Sequence, residues 1–301
     1  MSITTGAHPK LLWPGVEATF GAKYNEFPLE CMDLFDWTSS KQNYEENVEV
    51  TSFGLAPEKS EGAGIAYDTH SQGWVKRYTH VAYAMGFIVT YEELMDNLYK
   101  SKAFDRAELL AFSMRQTKEN VSANVYNRAE NGTYTGGDGI ELIASNHPMA
   151  NGDTYQNELT TAADFSEGAL EDLLILIGGA TNSRGLKISI QGQKLIIPRQ
   201  LQFEAERVLK STLQNDTANN AVNALRSTGV LPGGVSVNHY LTSGTKWFVQ
   251  TNAPRGMRGF TRNGVEFDQD NDFDTKNARS SAYERYSVGW TDPRGLYSSG
   301  T

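Results

Sequence analysis

The stretch GWVKRYTHVAYAMGFIVTYEEL, residues 73–94, changes its pattern part-way along. From Gly73 to Thr90 the residues are β-branched, aromatic and alternating, as in Val75, Arg77, Thr79, Val81, Tyr83, Met85 and Phe87, which is the period of a strand. Thr90-Tyr91-Glu92-Glu93 then has the form of a capping box, in which the Thr hydroxyl and the Glu carboxylate satisfy each other's backbone N–H groups. Beyond it, apolar or small residues recur at Leu94, Leu98, Ala107, Leu110, Met114, Thr117, Val121 and Val125, mostly three to four apart, as on one face of a helix. Such a helix of up to ~40 residues would reach ~60 Å, so a break is expected near Ser101–Asp105 and an end by Asn131-Gly132. The pattern predicts an elongated subunit built on a rod.

Upstream, Asn47–Phe53 also reads as a strand. Residues 54–73 between the two strands, GLAPEKSEGAGIAYDTHSQG, are rich in Gly, Ser and charge, as at a solvated loop tip. Residues 46–89 therefore form a long β-hairpin. Residues 1–45 scatter Trp13, Phe20, Tyr24, Phe27, Phe35 and Trp37 among Pro and Gly at no regular period, as in an arm that packs on something else. Downstream, residues 131–163 read as loops with a small hairpin, and Ser166–Ile177 as a helix capped by Ser166 and stopped by Gly178-Gly179. Residues 186–197 read as a buried strand running into Pro198 and a helix striped by Leu201, Ala205, Val208 and Leu209. Four further strands are expected at Val235–Leu241, Lys246–Thr251, Gly259–Phe267 and Ser280–Trp290.

Composition narrows the function. The chain has 301 residues, 39% of them hydrophobic, and no apolar run approaches the ~18 residues of a membrane span. No signal-peptide block is evident, so folding in a cytoplasm is expected. One cysteine, Cys31, leaves no disulfide framework and no Cys-based metal site. A net charge of −9 argues against a dedicated nucleic-acid binder. That charge is unevenly spread: residues 1–183 sum to −14, residues 184–254 to +5, and residues 255–301 to zero.

No catalytic constellation emerges. The five histidines never take the spacing of a helical metal site, no G-x-S-x-G occurs, and Gly179–Gly185 lacks the Gly-Lys-[Ser/Thr] of a phosphate loop. Asp268, Asp270, Asp272 and Asp274 alternate as calcium ligands would, but Phe273 stands where an EF-hand needs Gly and Arg279 where it needs an acid. Neither a cofactor nor a metal is expected.

Asn271-Asp-Phe-Asp-Thr-Lys-Asn-Ala-Arg279, followed by Glu284-Arg-Tyr-Ser-Val-Gly-Trp-Thr-Asp-Pro-Arg-Gly295, resembles the C-terminal signature of a family of tailed-bacteriophage major capsid proteins. Ser145-Asn-His147-Pro148, Leu195-Ile-Ile-Pro198, Phe203–Lys210 and Thr217–Arg226 resemble the same family, so the likeness covers roughly residues 140–295. It implies an α+β, Hong Kong 97-like capsid fold: an N-terminal arm (1–45), an extended loop (46–89), a peripheral domain with a spine helix (90–183 and 246–301) and an axial domain (184–245). It also implies a non-enzymatic subunit made in the host bacterial cytoplasm. Copies of it would form pentamers and hexamers of an icosahedral head that encloses double-stranded DNA without sequence-specific binding. Portal, scaffolding and decoration proteins are the further partners implied. Some members of the fold class join neighbours by a Lys–Asn isopeptide bond, but no pattern here singles out a pair.

On this reading the contacts between subunits are expected from Trp13, Tyr24 and Phe27 of the arm and from Glu58, Glu61, Trp74, Lys76 and Arg77 of the hairpin. The alternatives are an encapsulin-like compartment of the same fold and a cytosolic hydrolase with a scattered site. A carbohydrate-binding β module is opposed by the long acidic helix.

Overall fold

The computed structural model describes residues 13–62, 64–95, 99–214, 222–272, 275 and 277–300. In chain order its elements are α1 (Trp13–Tyr24), β1 (Asp36–Ser39), β2 (Tyr44–Val50), β3 (Gln72–Thr79), β4 (Val81–Val89), α2 (Tyr91–Met95) and α3 (Tyr99–Asn127). These are followed by β5 (His147–Pro148), β6 (Thr154–Tyr155), α4 (Glu167–Gly178), β7 (Gly192–Pro198), α5 (Gln202–Lys210), α6 (Ala224–Thr228), β8 (Val235–Asn238), β9 (Trp247–Thr251), β10 (Met257–Asn271), β11 (Ala278–Trp290) and β12 (Leu296–Ser299). The chain divides into two compact units. One comprises Met1–Asn43, Thr79–Ser122 and Gly259–Val288, the other Tyr44–Tyr78, Ala123–Arg258 and Gly289–Thr301.

The first unit is a four-stranded sheet, ordered β1-β10-β11-β4, with helices on it. β11 runs antiparallel to β4, Ala282 opposite Met85. Ala103, Ala107, Leu110, Ala111 and Met114 of α3 pack on Ala278 and Ala282 of β11, small residues on both sides. The capping box forms as expected, Thr90 Oγ1 accepting from Glu93 N at 3.3 Å. The expected break does not fall at Ser101–Asp105, which lies inside α3, and residues 96–98 between the two helices lie outside the described residues. At 29 residues α3 is ~43 Å long.

Part of the expected arm is helical. Val16, Phe20 and Tyr24 recur every four residues on one face of α1 and are buried in the α3–β11 core, with Phe20 stacked on Phe267 at 4.8 Å. Pro14 in the first turn, where a missing N–H costs nothing, and Gly15 and Gly21 within the helix obscured this period. Beyond α1, a single turn at Glu30–Asp33 buries Cys31, and Glu119 of α3 caps that turn by accepting from Glu30 N at 2.7 Å and Cys31 N at 2.8 Å.

The second unit is built on a four-stranded sheet ordered β12-β9-β7-β8, antiparallel except for β7 beside β8. Leu195, Ile196 and Ile197 of β7 are all fully buried, because a central strand covered on both faces has no wet side. α4 seals one face with Leu170, Leu173 and Ile177, and its predicted cap holds, Ser166 Oγ accepting from Ala169 N at 3.2 Å. Trp247 sits at the centre, its indole donating to Ala163 O at 3.1 Å. Leu186–Ile190, expected as strand, is a tight loop instead. Ile188 N bonds Ala180 O at 3.1 Å and Gln191 N bonds the Asn252 side chain at 2.8 Å, so the alternation there records a loop folding back.

The expected hairpin also divides. β2 pairs with β3 as a two-stranded sheet, and Thr51 and Ser71 clasp each other at its end through Thr51 N to Ser71 O (2.9 Å) and Ser71 N to Thr51 Oγ1 (2.8 Å). Beyond Val50 the expected strand stops, and the described residues among 51–71 carry no helix or strand. β4 continues from β3 but belongs to the first unit's sheet. The interruption is His80, whose buried ring bonds Ser40 Oγ (3.1 Å) and Ser287 Oγ (3.0 Å).

Candidate functional site

The stretch Glu284–Gly295 has a structural assignment for almost every residue. In the first unit, Glu284 Oε1 accepts from Lys118 Nζ at 2.5 Å and Oε2 from the Tyr24 hydroxyl at 3.3 Å. Arg285 bonds His80 O, and Tyr286 stacks on Tyr83 at 4.8 Å. In the second unit, Thr291 Oγ1 meets the Tyr78 hydroxyl at 2.5 Å and accepts from Asn47 at 3.0 Å. Asp292 caps the turn Pro293–Gly295 by accepting from Arg294 N at 3.0 Å. Arg294 donates to Thr181 O at 2.7 Å and lies over the Tyr155 ring at 4.1 Å. Asn157, which the sequence did not point to, donates to Leu142 O, Pro293 O and Leu296 O and accepts from Ala144 N, anchoring the end of the stretch. These are framework contacts within each unit.

The nearest approach to a catalytic pair is Asp138 Oδ2 with His147 Nδ1 at 2.8 Å. His147 is fully buried and stacked on Tyr155 at 4.9 Å, so no ligand reaches it. Among the described residues no three His, Cys, Asp or Glu side chains are placed to hold a metal ion, and no helix is long and apolar enough to cross a membrane.

The expected contact residues separate into several groups. Trp13 lies in α1, but its side chain is outside the described residues. Tyr24 is 6% exposed and packs inside its own subunit, where desolvation and the Glu284 carboxylate push its hydroxyl pKa well up. Phe27 is 63% exposed, with Arg115 above its ring at 5.8 Å. Glu58 and Glu61 stand exposed on the loop. Trp74 is half-buried where a side chain on Gly137 would strike its ring. Lys76 donates to Thr135 O at 2.9 Å and lies over the Trp290 ring at 4.9 Å, its pKa lowered by burial. Arg77 pairs with Glu46 at 2.6 Å on the neighbouring strand.

Sequence reasoning missed the apolar groups left in water. On the loop, Leu55 (82% exposed), Ile65 and Tyr67 (93%) protrude from a polar stretch. In the first unit, Val81, Met85 and Ile88 of edge strand β4 and Leu109 and Phe112 of α3 are also exposed. Ser113 Oγ touches Met85 Sδ at 3.5 Å and Arg106 bonds Ile88 O at 2.7 Å, so α3 lies along the β4 edge, with Val81 and Met85 on the sheet face it covers and Ile88 on the opposite face. On the loop the signal available was the presence of these side chains in a polar stretch, whereas β4 is apolar throughout and its sequence does not mark which residues stay in water.

The family model for phage capsid proteins matches residues 75–299, from the strand before His80 through the whole signature stretch. The chain belongs to the phage capsid protein family. As a phage capsid protein it is a structural component of the virion shell and not an enzyme. Its α+β fold is the Hong Kong 97-like one. The capsid of a native GTA particle is 12% identical, covers 91% of each chain and superposes with a TM-score of 0.57. The virus-like particle from Pyrococcus furiosus is 13% identical over 95% of this chain and 98% of that one, with a TM-score of 0.53. Microbacterium phage Oxtober96 gives 9% identity, 90% and 89% coverage and a TM-score of 0.54. No curated protein matches the sequence.

Proposed function

We propose that this capsid protein is the repeating subunit of an icosahedral tailed-phage head, assembling into pentamers and hexamers around double-stranded DNA. The observation that carries the proposal is the set of apolar side chains left in water on the loop 51–71 and along β4 and α3. Exposed apolar groups on this scale need a covering surface, and a second copy of the chain supplies one. The loop of one subunit lies across the next, with Leu55, Ile65 and Tyr67 as anchors and Glu58, Glu61 and Arg77 at the rim. Phe27, Trp74 and Lys76 contribute where the arm and the hairpin base meet a neighbour. The functional division follows an arm (1–45), extended loop (46–89), peripheral domain (90–183 and 246–301) and axial domain (184–245).

Charge sets orientation. The basic 184–254 segment faces acidic surface of the adjacent copy, and the acidic 90–183 segment lines the interior, where it repels phosphate and leaves the genome free to slide. Portal, scaffolding and decoration proteins complete the particle, and assembly takes place in the bacterial cytoplasm.

Electron microscopy after size-exclusion chromatography, with the 260 to 280 nm absorbance ratio, tests this reading. Shells, tubes or free rings of five and six support it. A small oligomer at every concentration overturns it. A second reading, an encapsulin-like compartment around protein, draws on the fold likeness to a virus-like particle. It would give shells without nucleic acid from cells that hold the phage genome.

A further inference from the structure

Within the second unit the neck of the loop is tied to the body by a set of hydrogen bonds across an open cleft. Arg184 reaches both sides of the neck: its guanidinium donates to Ser52 O at 3.1 Å on the outgoing side and to Asp68 Oδ2 at 2.6 Å on the return. Asp68 also accepts from Gly54 N at 2.7 Å, so one carboxylate closes the neck and engages the body. Asn182 donates to Ser52 Oγ at 2.6 Å, and Ser183 Oγ donates to Glu49. From the cleft floor Arg255, a non-glycine residue held at φ 59°, donates to Val48 O at 3.3 Å.

The cleft is about 670 Å³, lined by Val48, Val50, Trp74, Ile188, Ile190 and Pro254 among others. A hairpin packed by interlocking side chains would have to tear a close-packed interior to move. Beyond the hairpin base, where Trp74 and Lys76 pack on the body, exposed and part-buried hydrogen bonds, each weak singly in water, resist tilting. They are directional and act together.

We propose that Arg184, through Asp68 and Ser52, is the bolt of a latch by which each subunit aims its own loop before any neighbour is met, and that releasing the bolt lets the loop tilt over the cleft. The latch acts within one chain; only its consequence for shell formation rests on the assembly reading above.

Hydrogen exchange on free subunits, held below the concentration at which they associate, tests it. R184A is expected to raise exchange at least threefold in residues 50–54 and 67–71 while β7 stays protected. D68N, whose change lies on an exposed side chain, is expected to do the same. R184K, which keeps a cationic donor for Asp68 and Ser52 O, retains part of the protection that R184A loses. Unchanged exchange in D68N, or R184K no better protected than R184A, overturns the latch. Should R184A unfold, seen as lost protection in β7, D68N and R184K still decide. Failure of the assembly reading leaves the exchange result in free subunits untouched.

Discussion

Lys118 and Glu284 meet at 2.5 Å inside the first unit, with side chains only 5% and 2% exposed. The ammonium also lies over the rings of Trp37 (5.1 Å) and Tyr286 (5.3 Å), and the carboxylate takes a further hydrogen bond from Tyr24. Three segments far apart in sequence, α1, α3 and the signature strand β11, thus converge on one enclosed charge pair.

Removing one member strands the other. E284Q is expected to cost about 3–5 kcal/mol in urea unfolding, because Lys118 keeps a buried charge without its counter-ion. The double variant K118M/E284Q should cost less than the sum of the singles. Additive costs would show that the pair does not act as a unit.

The Glu119 cap carries a second charge with a pH signature. E119A leaves the Glu30 and Cys31 amides without their acceptor and is expected to lose about 2–4 kcal/mol. Burial is the main cause that raises this carboxyl's pKa above 4.5. A raised carboxyl contributes stability as pH falls through its folded value, so its share of the pH dependence runs opposite to the usual acid loss. Melting curves of E119Q from pH 7 to 4 should lack that share.

Asp68 titrates the other way. Its hydrogen bond from Arg184, followed by those from Gly54 and Thr69, lowers its pKa to about 2. A depressed carboxyl stabilises above its unfolded value near 3.8 and loses that effect as pH falls through about 2. The latch should therefore hold at full strength from neutral pH to about pH 4, weaken below that and open as pH falls through about 2, seen as a change in Trp74 fluorescence absent from D68N.

The loop side chains separate assembly from stability. L55S/I65S/Y67S alters groups that touch water, so unfolding of the free subunit should shift by less than about 0.5 kcal/mol. Light scattering under assembly conditions should show no shells.

Gly295 ends the signature for a steric reason. A Cβ there would lie 2.4 Å from Gly256 Cα, a backbone atom that cannot step aside. G295A is expected to cost about 1–3 kcal/mol by overpacking, measured as a lowered unfolding midpoint.

Periodic segments were legible in the sequence. The Thr90 box, the Ser166 cap and the apolar run of β7 all carry a local rule, and the signature stretch carried the family. What escaped had its reason in tertiary contacts. β12, with the sequence Leu-Tyr-Ser-Ser, is fully buried because Ser298 bonds Trp247 O and Ser299 bonds Ala163 O, partners remote in the chain. Tyr24 resembled an arm aromatic until Glu284, at a sequence separation of 260, gave it a partner. Asn157 is one asparagine among many, and only the folded chain brings four backbone groups to its amide.

Cys31 is the sole cysteine in the sequence, and in the turn at Glu30–Asp33 it is fully buried. Desolvation, with a smaller push from the Glu119 charge, raises its thiol to about 12. At neutral pH it is neither nucleophilic nor within reach of a reagent. The wild-type background is thus already chemically silent: a cysteine introduced on the loop would be the one site a maleimide dye modifies, and particles could be labelled once per subunit without first deleting a native thiol.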